Sequence, residues 1–202
     1  MVAEIDYWKS MLTGLVAPKV PIVPYVPRRR EAPARVLAPA TAWKGIESIL
    51  GDIIQRFSLG TRRCLEFGVE YGYSTVALSA FFDSVIGVDT FCGDIHTENK
   101  SDIFAQTSQR LSCFDNIRLV RSDYHDWIVK DDRFYDLIHV DIVHTYIDTF
   151  TCGLWSAQHA ACVLFHDTLS FPAVQRAVID IARKTRKQFF NFEESYGLGI
   201  LV

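Results

Sequence analysis

From residue 41 onward, short apolar runs alternate with longer stretches whose apolar residues recur every three or four positions. Cys64–Phe67, Val85–Val88, Ile117–Val120, Phe134–Val140 and Cys162–Phe165 are mostly apolar runs, the pattern of parallel strands buried on both faces. Over Thr41–Phe57 the residues Trp43, Ile46, Ile49, Leu50, Ile53, Ile54 and Phe57 keep helical spacing, which predicts one helix closed by Gly60. Further helices are predicted after Ser74, near Ile103–Leu111, and over Tyr146–Gln158 and Pro172–Lys184. Phe189–Phe192 and Gly199–Val202 read as two last strands joined by a turn at Ser195–Leu198. This alternation is that of an α/β fold with a doubly wound, mostly parallel sheet. The closing hairpin would add an antiparallel edge.

Residues 1–41 break the pattern. Ile5, Trp8, Met11, Leu12 and Leu15 would share one side of a short amphipathic helix. Six of the seven prolines follow, at 18, 21, 24, 27, 33 and 39, which favours extended backbone and excludes a long helix there. The expected organisation is a helix and proline-rich arm over 1–41 and a catalytic domain over 42–202. Arg28–Arg30 form a small basic cluster. The simplest expectation is a solvated arm. The alternative is an arm lying over the active site or a second subunit, giving a homo-oligomer, because Trp8, Tyr25 and Trp43 are costly to expose.

Composition narrows the function classes. Of 202 residues, 49% are hydrophobic and 22% charged, enough for a full core. The net charge of -3 offers no basic field, so nucleic acid is not an expected partner. Five scattered cysteines contain no Cys-x-x-Cys pair, which points to reduced thiols and a cytoplasmic setting. No apolar run spans a membrane, and the first residues lack the layout of a signal peptide.

Chemistry collects at the strand ends. Glu66, Asp89, Asp123, Asp141 and Asp167 each stand at or just past a predicted strand, at the edge where open α/β sheets bind ligands. Acids so grouped repel unless cations or hydroxyls lie among them. Gly68 and Gly72 mark a tight turn after the first of these strands, and Ser74 and Thr75 are placed to cap the next helix. A dinucleotide site needs Gly-x-Gly-x-x-Gly; here Glu70 stands where the second glycine belongs. Negative charge there suits a pyrophosphate poorly and suits a ligand with a ribose and a cationic amine, such as S-adenosylmethionine. A nicotinamide-dependent oxidoreductase and a methyltransferase-like binding module without turnover stay open as alternatives.

The segments EFGVEYGYST, GVDTFCGD, DLIHVDIVHTY, VLFHDT and YGLGILV resemble class I S-adenosylmethionine-dependent methyltransferases with a Rossmann-like sheet. More narrowly they resemble the small-molecule O-methyltransferase group that includes macrolide-sugar methyltransferases and cephalosporin-hydroxylase-like proteins. The resemblance covers roughly residues 60–202. It implies that Glu66, Gly68, Tyr71, Gly72, Ser74 and Thr75 form the methionine-side loop. Asp89 would take the ribose, Thr90 and Phe91 would line the adenine, and Asp123, beside Tyr124, would face its amino group. The Asp-x-x-His motif gives Asp141 and His144 as the catalytic pair. Asp141, Asp167 and the adjacent His166 would hold a divalent metal such as Mg2+. The implied substrate is a small hydroxylated molecule, with a sugar as one class. Two departures stand out: Ile142 where glycine is usual, and Gln158-His159-Ala160-Ala161 where a Pro-Gly pair is common.

Other candidates have plainer readings. His139 lies inside an apolar strand and reads as core. His96 and His125 fall in loops, the former a candidate for the cofactor pocket. Trp127 and Trp155 read as core, and Tyr196-Gly197 as a turn near the substrate edge.

Overall fold

The computed structural model describes residues 2–17, 19–38, 41–93 and 101–202, with backbone alone for 2–4. The assignment of His96 lies outside these residues. Buried parallel strands send consecutive side chains to opposite faces, and this sets the whole architecture. β1 (Ile22–Pro24), β2 (Arg63–Phe67), β3 (Ser84–Asp89), β4 (Ile117–Arg121), β5 (Tyr135–Val140), β6 (Ala160–His166), β7 (Phe189–Phe192) and β8 (Leu198–Leu201) form one 8-stranded sheet. Its order is β1-β7-β8-β6-β5-β2-β3-β4. Cys64 and Leu137 face one core layer, while Leu65 and Ile138 face the other. The first layer is covered by α2 (Leu50–Arg56) and α3 (Tyr73–Ser79). The second lies under α5 (Tyr124–Ile128), α6 (Tyr146–His159) and α7 (Pro172–Thr185). α4 (Phe104–Leu111) precedes β4 at the sheet's far edge.

The sheet differs from the expected one at its C-terminal side. β8 is antiparallel to both β6 and β7, but it lies between them rather than at an edge. The edge is β1, which pairs parallel with β7. β1 belongs to the proline-rich segment, and an edge strand is where a proline such as Pro24 costs no ladder bond. Tyr25 follows it into the core, and its hydroxyl donates to the buried Asp52 carboxylate. The arm is therefore partly docked on the sheet rather than wholly solvated. At its end, Thr41 comes to the carboxyl tips of the strands. Tyr25→Phe would leave the buried Asp52 one donor short. A loss of roughly 1–3 kcal/mol is expected, measurable by denaturant unfolding with an unchanged slope.

The predicted Thr41–Phe57 helix is shorter. Gly45 at φ 106 breaks it, and a 3-10 turn (Ile46–Ile49) leads into α2. It ends at Ser58, left-handed at φ 52, with Leu59 N–H donating to the Ile54 carbonyl at 3.0 Å. Gly60 lies beyond the stop. Among the described residues, no helix is long and apolar enough to cross a membrane.

Candidate active site

The carboxyl ends of β2 to β6 open into a cavity of about 620 Å3, within the range of small-molecule sites. Gly68 and Gly72 shape the loop between β2 and α3, at φ 85 and 82. Gly68 is needed for a second reason: a Cβ there would sit 1.7 Å from the Asp141 carbonyl oxygen. The loop after β2 thus rests directly on the backbone after β5. Gly68→Ala should displace both at once, lowering the melting temperature and weakening ligand binding in the cavity. A variant that melts and binds like wild type would contradict this packing.

Asp89, at the tip of β3, lines the cavity and holds the loop. Its Oδ2 accepts from the Val69 and Glu70 N–H groups at 2.7 and 2.8 Å, and its Oδ1 from Phe91 N–H at 2.7 Å. Oδ2 is thereby saturated, while Oδ1 keeps acceptor capacity for a ligand hydroxyl. Glu70 sits at φ 49, a conformation fixed from both sides. Its N–H is held by Asp89 and its carbonyl by the Thr107 hydroxyl. Thr90 and Phe91 continue the wall, with Phe91 packed on Phe104 at 5.0 Å. Tyr71 lines the cavity with the Arg110 guanidinium 5.5 Å from its ring centre. Asp123 lines the opposite rim while accepting from the His125 N–H at the start of α5. Tyr124 lies beside it, its hydroxyl donating to Asp148 at 2.8 Å. Burial and then the Asp148 carboxylate hold that phenol protonated, far above its ordinary pKa.

Three expectations change here. Ser74 and Thr75 do not cap α3; its N-cap is Gly72, with no side-chain bond. Ser74 still lines the cavity, whereas Thr75 turns inward and donates to Glu66. Glu66 is fully buried and absent from the cavity wall. In the register of β2 and β5 it stands opposite His139, whose Nδ1–H donates to it at 3.0 Å. His139 Nε2 in turn accepts from the Trp43 indole N–H at 3.1 Å. The tautomer follows, because an indole only donates. Four of the five strand-end acids therefore meet at the cavity. The fifth anchors a buried chain ending at Trp43, which lines the cavity wall.

The second half of the cavity is a cluster of two acids and two imidazoles. Asp141 and Asp167 end the adjacent strands β5 and β6. His144 Nε2 lies 3.6 Å from Asp141 and 3.0 Å from Asp167, its ring stacked on Phe171 at 4.1 Å. His166 Nδ1 is 3.2 Å from each carboxylate, while its Nε2–H donates to the Ser195 carbonyl. The Tyr196-Gly197 turn thus braces the site from behind and does not line it. Burial works against ionisation throughout this cluster, but the mutual charges outweigh it. His144 rises to about 9 and His166 to about 10, and both acids fall below their ordinary range. Asp141 does not cap α6. Thr145 does, accepting from Asp148 N–H, so the Asp141 carboxylate stays in the cavity. Asp167 holds its place at φ 61, a strained conformation for a non-glycine residue.

Asp141, His144 and Asp167 bring one ligand atom each within 4.8 Å of one another. Two carboxylates and one imidazole fit a hard divalent cation such as Mg2+. The sequence named His166 as the imidazole of this group; in the structure His144 takes that place, and His166 Nδ1 lies 3.2 Å from each carboxylate.

A family profile for methyltransferase domains matches residues 65–168, the segment that supplies the glycine loop, Asp89, Asp123, Asp141, His144 and Asp167. The chain belongs to this methyltransferase family. The methyltransferase matches no curated protein sequence. It superposes on solved structures of the same architecture. TomG, an O-methyltransferase from Streptomyces achromogenes involved in tomaymycin synthesis and solved with SAM, shares 14% identity over 82% of this chain and 81% of that one, with a TM-score of 0.56. An O-methyltransferase from Bacillus cereus in complex with SAH shares 14% identity over 97% and 90%, at 0.53. The SAH-bound methyltransferase PaMTH1 of Podospora anserina shares 11% over 76% and 77%, at 0.56. At these identities the likeness is one of fold.

Proposed function

We propose that this methyltransferase transfers the methyl group of S-adenosylmethionine to a hydroxyl of a small molecule. The observation that carries the reading is one cavity with two chemically distinct halves. The glycine loop, Asp89, Phe91 and Asp123 suit a nucleoside with ribose hydroxyls and an exocyclic amine. Asp141, His144 and Asp167 suit an acceptor hydroxyl. The family supports methyl transfer, and two of the structural neighbours are O-methyltransferases solved with SAM or SAH.

Sulfonium is already a good leaving group, so the protein's work is alignment and removal of one proton. Asp89 orients the ribose, and the Gly68 backbone keeps the cofactor tail close to Asp141. The acceptor oxygen attacks the methyl carbon in line, the carbon–sulfur bond breaks, and the pair returns to sulfur. His144, held by Asp167 and stacked on Phe171, is the group placed to receive the hydroxyl proton. Asp141 and Asp167 would also hold a divalent cation, which supplies charge stabilisation for an ionising hydroxyl and leaves the proton to His144. With those carboxylates uncompensated, His144 stays protonated, so charge compensation at this end and base function are linked. A sugar is the first acceptor class to test, since several hydroxyls can share the two acids.

The test is product mass after incubation with isotopically labelled S-adenosylmethionine, Mg2+ and a panel of sugars and phenols. Addition of one labelled methyl to an oxygen is expected. Binding of S-adenosylhomocysteine without methylation of any hydroxyl, but with methylation of an amine, would overturn the O-methyl reading. The alternative of an oxidoreductase predicts tight NAD binding instead.

A further inference from the structure

The first helix, α1 (Val2–Val16), is turned the opposite way from an ordinary surface helix. It packs on α6 and α7 through its polar side. Ser10, only 8% exposed, donates to Asp180 and accepts from Arg176 Nε at 2.6 Å. Arg176 also donates to the Ser10 carbonyl at 2.6 Å. Tyr146 OH donates to the same Asp180 at 3.0 Å, and Tyr7 meets the Tyr146 ring edge-on at 6.3 Å. Gly14 completes this face, because a Cβ there would strike the Arg176 guanidinium at 2.4 Å. The apolar side consequently looks outward: Trp8 is 62% exposed, Leu12 66% and Leu15 81%, with Ile5 about half exposed.

The hydrophobic effect alone would rotate this helix inward. The polar clamp prevents it, so the outward face is a fixed feature of the fold. Ile5, Trp8, Leu12 and Leu15 are spaced three, four and three residues apart. That narrow seam is what one helix offers another. With Met11 and Val16 it leaves on the order of 700 Å2 open, beyond a typical monomer's largest patch and near the ~800 Å2 each partner buries in a stable interface. A single lysine, Lys9, among its fifteen residues is a poor match for a helix lying on an anionic membrane, which needs a basic face.

We infer that the outward face of α1 is the interface between two copies of this chain, α1 against α1 across a two-fold axis. A two-fold contact uses one patch twice. A seam of apolar residues without a charge inside it is complementary to itself, whichever way the helices run. The clamp on Asp180 then serves to present that seam.

Sedimentation velocity and light scattering of the full chain test this. The wild type should behave as twice its 23.0 kDa mass at micromolar concentration. Leu12→Asp should sediment as a folded monomer with an unchanged circular dichroism spectrum, since Leu12 makes no core contact. Leu12→Cys should cross-link between chains under mild oxidation, at a rate that a Thr13→Cys control does not reach. A wild type that stays monomeric at tens of micromolar, or a dimer unaffected by Leu12→Asp, would overturn the proposal. So would a monomer that co-sediments with phosphatidylserine vesicles.

Discussion

Turnover falls by roughly 10²–10⁴-fold in His144→Ala, the range a positioned general base contributes, while the affinity for S-adenosylhomocysteine is essentially unchanged. The asymmetry follows from the geometry. His144 is held by Asp141, Asp167 and Phe171, whereas Asp89 holds the glycine loop. Asp141→Asn and Asp167→Asn should each cut turnover as well, and both should weaken Mg2+ binding measured by calorimetry. Chelation is the independent arm. Activity lost in excess chelator and restored by Mg2+, together with the weakened Mg2+ binding of both variants, assigns a metal to Asp141 and Asp167. Full activity in excess chelator would leave His144 as a base without a metal. Wild-type turnover in His144→Ala would remove that role too.

Asp89→Ala is expected to be the most damaging change at the other end. The carboxylate accepts from three backbone N–H groups, on Val69, Glu70 and Phe91. Hydrogen bonds to a charged group are worth about 1.5–3 kcal/mol each. Losing them loosens the glycine loop and the Phe91 wall together, before any ribose contact is counted. If binding must restore the order that two such bonds supplied, cofactor affinity falls by roughly 10²-fold. Asp89→Asn keeps one acceptor oxygen and should fall between. Titration with S-adenosylhomocysteine reads both, and a thermal shift on saturating ligand should be large for wild type and small for Asp89→Ala. Unchanged affinity in Asp89→Ala would place the nucleoside elsewhere in the cavity.

Much of this was legible in the chain. The apolar runs marked β2 to β8 to within a few residues, because a strand buried on both faces admits little else. The acids after β3, β4, β5 and β6 could be read as one rim for a simple reason: parallel strands all end on the same side. The Asp-x-x-His motif likewise gave Asp141 and His144 before any distance was known. Glu66 shows where such reading stops. It ends a strand as the other acids do, yet one residue earlier than the tip, so the strand's alternation turns it into the core layer of Cys64 and Trp43. Its partner His139 lies 73 residues away, and no local pattern couples them. Two buried polar residues in apolar strands signalled that each needed a partner, but only the adjacency of β2 and β5 says which.

By itself the sequence determined the strand set, the acidic rim, the glycine turn and the closeness of Asp141 to His144, since all of these depend on spacing within one element or its end. The tertiary structure decided what depends on two distant elements meeting. It slotted β8 between β6 and β7 and added β1 to the edge, because pairing partners are chosen by layer packing and not by chain order. It brought Asp167 to Asp141, and it drew Trp43 to the cavity through His139. It also reversed α1. Helical periodicity correctly grouped Ile5, Trp8, Leu12 and Leu15 on one face, but a periodic stripe does not say which way it points. The Ser10–Asp180–Arg176 clamp, made with residues more than 160 positions away, turned that stripe to the outside.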